Sequence, residues 1–215
     1  GISGRGRFSA ALSGGSTPLR LYENLAAPDY RSAVEWSKVY LFWGDERCVP
    51  PEHPDSNYGA AKSALLEHVP LPAENIYRMR GELEPEEAAR RYQALLHGHF
   101  YPAQAQDASL PPPRLDLILL GLGTDGHTAS LFPGTTAVQE QQRWAAANYI
   151  EKLASWRLTL TLPVINAARA VVFLVSGAAK AGVLAKIWQQ SAQSDVLPAA
   201  LVKPMEGKLL WLVSV

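Results

Sequence analysis

Apolar residues in this chain fall into short runs, each closed by a turn rich in glycine or proline. Residues 115–120 form the most continuous run, broken only by Asp116, with the length and composition of a strand buried on both faces. Val39–Trp43 and residues 170–175 read the same way. Other runs alternate: residues 7–12 place Phe8, Ala10 and Leu12 on one side, and residues 157–162 set Leu158, Leu160 and Leu162 against Thr159 and Thr161. Residues 144–150 and the terminal stretch 209–215 complete the predicted strands. Helices are predicted over residues 18–26, 55–68 and 84–104, and from Lys180 to Gln190, with residues 104–114 as a proline-rich surface connection. Buried strand, glycine turn and helix repeat along the chain, the pattern of a three-layer α/β fold around a mainly parallel sheet.

Open sheets of this kind bind ligands at the carboxyl ends of their strands, which directs attention to the polar residues that follow each run. After residues 115–120 come Gly121, Gly123 and Gly126, with Asp125 and His127 among them. A histidine there is a candidate general base, because its pKa lies near working pH and one ring nitrogen can accept a proton. A lone histidine in a turn is ordinarily a cap or a packing group. The flanking glycines, the neighbouring acid and the place after a buried strand favour a chemical role. The same glycines satisfy G-x-G-x-x-G, the dinucleotide fingerprint. That reading is the weaker one: Pro133 and Gly134 would stop the required helix within about two turns, and Glu140 and Glu151 both miss the expected spacing of about 20 residues.

Ser13, Gly14, Gly15, Ser16 and Thr17 follow the first strand. The two glycines permit a tight turn with exposed N–H groups, and Thr17 as N-cap with Pro18 at the first helical position would start a helix. Such a turn is either an ordinary connection or an anion site built from backbone donors and the helix dipole. Past Val39–Trp43 stands Arg47, a candidate for gripping phosphate oxygens, the plainer alternative being a surface ion-pair cluster with Asp45 and Glu46. Asp55 and Asn57 suit either a helix cap or the rim of the site. Lys180, in the first turn of its predicted helix, opposes the dipole and so invites an anionic partner. His97 and His99 lie two apart on a helix and face different ways, so a shared metal is a poor reading and an exposed helix end a better one.

Composition narrows the classes without choosing among them. With 215 residues the chain can bury a sizeable core, and 47% hydrophobic with 19% charged residues suits a soluble globular protein. Lysine plus arginine and aspartate plus glutamate number 20 each, so no global field selects nucleic acid or a membrane surface. The single cysteine, Cys48, allows no internal disulfide and fits a reducing cytoplasm. No signal peptide opens the chain and no apolar run is long enough to span a bilayer. No cofactor and no metal are expected, and a monomer is the favoured state.

The stretch GLGTDGHTASLFPG at residues 121–134 resembles the signature of the 6-phosphogluconolactonases, a branch of the glucosamine-6-phosphate isomerase/6-phosphogluconolactonase superfamily. SGGSTP at 13–18, GDERCVP at 44–50, DSNYG at 55–59 and RLTLTLPVINAAR at 157–169 resemble the same family, in its order. The resemblance implies a modified Rossmann-like fold in a single domain over residues 1–215, short of a strand and helix at the N-terminus and of a last helix at the C-terminus that family members carry. It implies a phosphorylated sugar lactone as substrate, hydrolysed without a metal. On that reading Ser13, Gly14, Gly15, Ser16, Thr17, Arg47 and Lys180 hold the phosphate, Arg157 matches a further family arginine, and His127 with Asp125 performs catalysis. The sister branch of amino-sugar-phosphate isomerase/deaminases continues after its Asp-Gly-His with an Ile-Ala-Phe-Asn-Glu-Pro run, whereas residues 128–133 here are TASLFP. A non-catalytic sugar-phosphate sensor would need the phosphate residues but not His127.

Overall fold

The computed structural model describes residues 2–104, 109–189 and 197–214. Strands β1 (Phe8–Leu12), β2 (Val39–Trp43), β3 (Asp45–Arg47), β4 (Ile76–Tyr77), β5 (Leu117–Leu120), β6 (Ala145–Ile150), β7 (Ser155–Leu160), β8 (Ala170–Ser176) and β9 (Lys208–Ser214) alternate with helices. The helices are α1 (Ile2–Arg5), α2 (Ser16–Ala26), α3 (Pro28–Arg31), α4 (Asn57–Ala64), α5 (Pro85–Phe100), α6 (Leu162–Ala167) and α7 (Ala181–Gln189). Six strands form one sheet in the order β4-β2-β1-β5-β8-β9, and every neighbouring pair in it is parallel. Helices flank this sheet, giving the three-layer α/β fold expected from the chain pattern.

Strand β1 pairs with β2 on one side and β5 on the other, so the winding reverses between β1 and β5. The crevice beyond their carboxyl ends is where such sheets take ligands. Both strands are deep in the core: Ala11, Ile118 and Leu120 are wholly buried, as strands covered on both faces require. The charge within the apolar run has its own account. Asp116 lies just before β5 and accepts from Ser9 N at 2.9 Å, while Arg5 and Arg169 pair with it at 2.5 and 3.3 Å. A buried carboxylate so surrounded is compensated rather than orphaned.

Strands β3, β7 and β6 make a second, antiparallel sheet. Gly44 joins the two sheets: its N–H donates to Leu12 O and its carbonyl accepts from Leu160 N, both at 2.8 Å. Among the described residues no helix is long and apolar enough to cross a membrane.

Several boundaries differ from the sequence reading. Helix α2 begins at Ser16, capped by Gly15 with φ 88°, so Thr17 lies inside the first turn and is not the N-cap. Only glycine takes that backbone geometry without strain. The helix predicted through His68 ends at Ala64 and continues as a separate 3₁₀ turn, Leu66–His68. The long helix stops at Phe100 before a 3₁₀ turn at Pro102–Gln104. The predicted helix end at Gln190, the strand end at Val215 and residues 105–108 of the surface connection lie outside the described residues. His97 and His99 do not sit on an exposed helix end. His97 stacks on Trp144 at 3.7 Å, and His99 is enclosed by Tyr40, Phe42, Tyr77 and Phe100. Burial pushes the His99 imidazole down to about 4, with Arg7 acting in the same direction. His99 is thus a neutral aromatic packing group, and His97 is a buried one that packs by stacking.

Candidate active site

The turns after β1, β2, β5 and β8 converge on one cavity of about 320 Å³. Its lining includes the turn Ser13 to Thr17, continuing into Pro18; Arg47 and Lys180 supply cations; His127 and Gly123 line it too. The N-terminus of α2 thus opens onto a space with two cations, which has the charge and donors that an anion requires. Arg47 Nη1 is steered by the carbonyl of Asp55 at 2.5 Å. Lys180 stands in a 3₁₀ turn, Ala178–Lys180, that precedes α7, so its placement comes from the turn at Gly177 rather than from a helix dipole.

His127 is fixed from behind. Asp125 Oδ1 accepts from His127 N at 3.2 Å and from the ring Nδ1 at 2.5 Å, and Asp125 Oδ2 pairs with Lys152. An ionised carboxylate can only accept, so Nδ1 carries the proton and Nε2 is left with a free lone pair. The imidazole stacks on Phe132 at 4.0 Å. A side chain at position 123 would put its Cβ 2.0 Å from His127 Nδ1 and 2.6 Å from Asp125, so Gly123 is what lets this pair close. Burial holds the His127 imidazole below its ordinary range, and Lys180, Arg157 and Arg47 push the same way. Asp45 opposes them, as does the contact with the Asp125 carboxylate. A neutral histidine at working pH is the form that accepts a proton.

Asp45 and Glu46 correct the surface ion-pair reading, for both are buried. Asp45 lines the cavity, where it accepts from Ser130 Oγ at 2.8 Å and Asn57 Nδ2 at 3.2 Å, and burial raises its pKa. Glu46 turns away and accepts from the N–H groups of Arg47, Asn57 and Tyr58 at 2.9, 2.6 and 2.7 Å, bracing the start of α4 behind the cavity. Glu46→Ala strands those donors and is expected to lower unfolding stability by about 1–3 kcal/mol, read by urea denaturation. Ser56 rather than Asp55 caps α4, accepting from Gly59 N at 3.0 Å, while Asn57 reaches the cavity. Burial pushes the Cys48 thiol up to about 11, away from the lowered pKa of an activated thiolate.

With this geometry in view, the comparisons are specific. The model of the family described as glucosamine-6-phosphate isomerases/6-phosphogluconolactonase matches residues 1–211. The chain belongs to this family. It is 45% identical over 213 residues to a 6-phosphogluconolactonase of Synechocystis sp., covering 99% of this chain and 84% of that protein. A 6-phosphogluconolactonase of Nostoc sp. is 43% identical over 213 residues, with the same coverage of 99% and 84%. The solved 6-phosphogluconolactonase from Trypanosoma brucei matches with a TM-score of 0.81 at 31% identity, covering 99% of this chain and 85% of that one. Its counterpart from Trypanosoma cruzi gives 0.85 at 28%, covering 100% and 84%.

Of the residues that the family resemblance singles out, Ser13 to Thr17, Arg47, His127 and Lys180 share the cavity. Asp125 and Arg157 are not among its lining residues. Asp125 backs His127, whereas Arg157 lies opposite Arg47 in the β3–β7 register, inside β7 and not at its entrance. Its Nη1 donates to Ser155 Oγ at 2.8 Å and Trp156 O at 3.1 Å. Among the described residues, no group of three or more His, Cys, Asp or Glu side chains could hold a metal ion.

Proposed function

We propose that this protein is a lactone hydrolase that converts 6-phospho-D-glucono-1,5-lactone to 6-phospho-D-gluconate, in the oxidative pentose phosphate pathway. The observation that carries the reading is one cavity lined both by a helix N-terminus with two cations and by a histidine bonded to an acid. The substrate phosphate lies against the Gly14–Gly15–Ser16 backbone, Arg47 and Lys180. Anchored there, the ring ester is held at His127 instead of meeting it by chance. His127 Nε2 takes a proton from water as the water oxygen bonds to the lactone carbonyl carbon. The imidazolium then returns a proton to the departing ring oxygen as the C–O bond breaks, and the carboxylate product is released with one proton. Asp125 keeps Nδ1 protonated and stabilises the transient imidazolium, in the way an acid orients a catalytic histidine elsewhere. Backbone N–H groups of the turn near Gly123 and Gly126 are the donors proposed for the tetrahedral oxyanion. No step calls on a metal or cofactor. The reducing compartment that suits one half-buried free cysteine supports a cytoplasmic location, and a site completed within one chain supports action as a monomer.

The test is turnover of freshly made 6-phosphogluconolactone with spontaneous hydrolysis subtracted. Clear acceleration is expected, falling steeply for the same lactone without its phosphate, because remote binding groups contribute to the rate and not only to affinity. A folded protein that accelerates neither lactone would overturn the reading and direct attention to amino-sugar phosphates.

A further inference from the structure

Beside the His127–Asp125 pair lies a second cavity, of about 670 Å³, whose lining includes Asp125, Phe132 and Lys152. Lys152 belongs to the 3₁₀ turn Glu151–Leu153 that joins β6 to β7, and the turn ends at Ala154 with φ 46°. A non-glycine residue in the left-handed region costs about 1–2 kcal/mol, which persists only where the surroundings fix it. The turn so formed delivers the Lys152 ammonium to two partners at once. Its Nζ pairs with Asp125 Oδ2 and sits 4.7 Å above the Phe132 ring, which in turn stacks on the His127 imidazole.

We propose that Lys152 is a positioning residue for the His127–Asp125 pair, clamping the carboxylate from behind and offsetting its charge. The inference rests on the reading of His127 as the general base. Asp125 uses Oδ1 for His127 and has Oδ2 free to swing unless something holds it. A charge-assisted bond from Lys152 removes that freedom and keeps the acid ionised, so it continues to accept from Nδ1. The same ammonium partly cancels the pull of Asp125 on an imidazolium. The other charged groups acting on His127 are Asp45 and Arg47 from β3, Arg157 from β7 and Lys180 from the turn before α7. Without Lys152, Asp125 is uncompensated and the imidazole becomes easier to protonate. Since Lys152 is not among the residues lining the phosphate cavity, its loss should not touch substrate binding.

Kinetics of K152M and K152R across pH, beside wild type and H127A, test this. Lys152 is 53% exposed, so K152M should keep its melting temperature; K152Q serves as the second variant should it not. The expected result for K152M is kcat down by about tenfold, the lower edge of what outer partners of an oriented histidine contribute, with KM unchanged. The acid limb of its kcat profile should move to higher pH, since a base with a raised pKa is protonated sooner. K152R should recover most of kcat. An unchanged kcat and acid limb in K152M, with H127A inactive, would overturn the role of Lys152 alone. A raised KM at constant kcat would also overturn it, by making Lys152 a substrate contact. Turnover retained by H127A would instead remove the base assignment on which the inference stands.

Discussion

Replacing His127 with alanine is expected to lower kcat by about 10²–10⁴-fold, the usual contribution of a positioned general base. The fold should survive, because the imidazole packs at a cavity wall against Phe132 and supports no other element. KM should change little, since the phosphate cradle is built from other residues of the cavity. The pH profile provides a second readout. The base works when neutral, so activity is lost as pH falls through its folded-state pKa. Burial is the largest influence on that pKa and lowers it, with Lys180, Arg157 and Arg47 adding to the effect against Asp45 and the Asp125 carboxylate, which raise it. The wild-type acid limb should therefore lie below that of an ordinary histidine, near 6.5, and should vanish from the residual activity of H127A. A mutant that keeps both its rate and its acid limb would leave the lactonase reading standing and remove His127 as the base.

The second large effect belongs to Asp125→Asn. The substitution keeps shape almost unchanged, but an amide can present N–H to Nδ1 and so leave the proton on Nε2, the wrong tautomer for a base. In a serine protease the equivalent exchange at the histidine-orienting acid costs about 10⁴ in kcat. A loss of about 10²–10⁴ is expected here, with KM nearly constant because Asp125 does not line the phosphate cavity. Steady-state kinetics suffice to check it. A rise in KM with kcat preserved would make Asp125 a substrate contact and not an orienting group.

Much of this architecture was legible along the chain because the signals are local. Val39–Trp43 was bounded to the residue, and the repeated strand–turn–helix pattern anticipated a parallel sheet with its polar residues at the strand ends. What escaped depends on contacts distant in sequence. Asp45 and Glu46 look like partners for Arg47 until Ser130, Asn57 and Tyr58 arrive to bury them. A signal was present, however: they directly follow an apolar strand, at the edge where ligands sit. His97 and His99 seem solvated until Trp144 and the aromatic residues of β2 and β4 close over them. Lys152 carries no local signal at all, since its meaning comes from a turn that reaches back across 27 positions to Asp125. Thr17 was misplaced as a cap because Gly15, which lacks a capping side chain, reaches a backbone geometry that moves the helix start two residues earlier.

Arg47 and Arg157 face each other in adjacent strands, and their mutual repulsion adds to the burial that lowers the pKa of Arg157. Like charges placed directly opposite weaken a strand pair. Asp45, in the same sheet, offsets part of that repulsion, and what remains is a residual positive load on the Arg47–Arg157 pair. A dianion nearby converts that load into cohesion, so occupancy and rigidity of the ribbon rise together. On the proposed function, the substrate's phosphate is expected to serve this ribbon as a structural counterion as well as a handle for recognition.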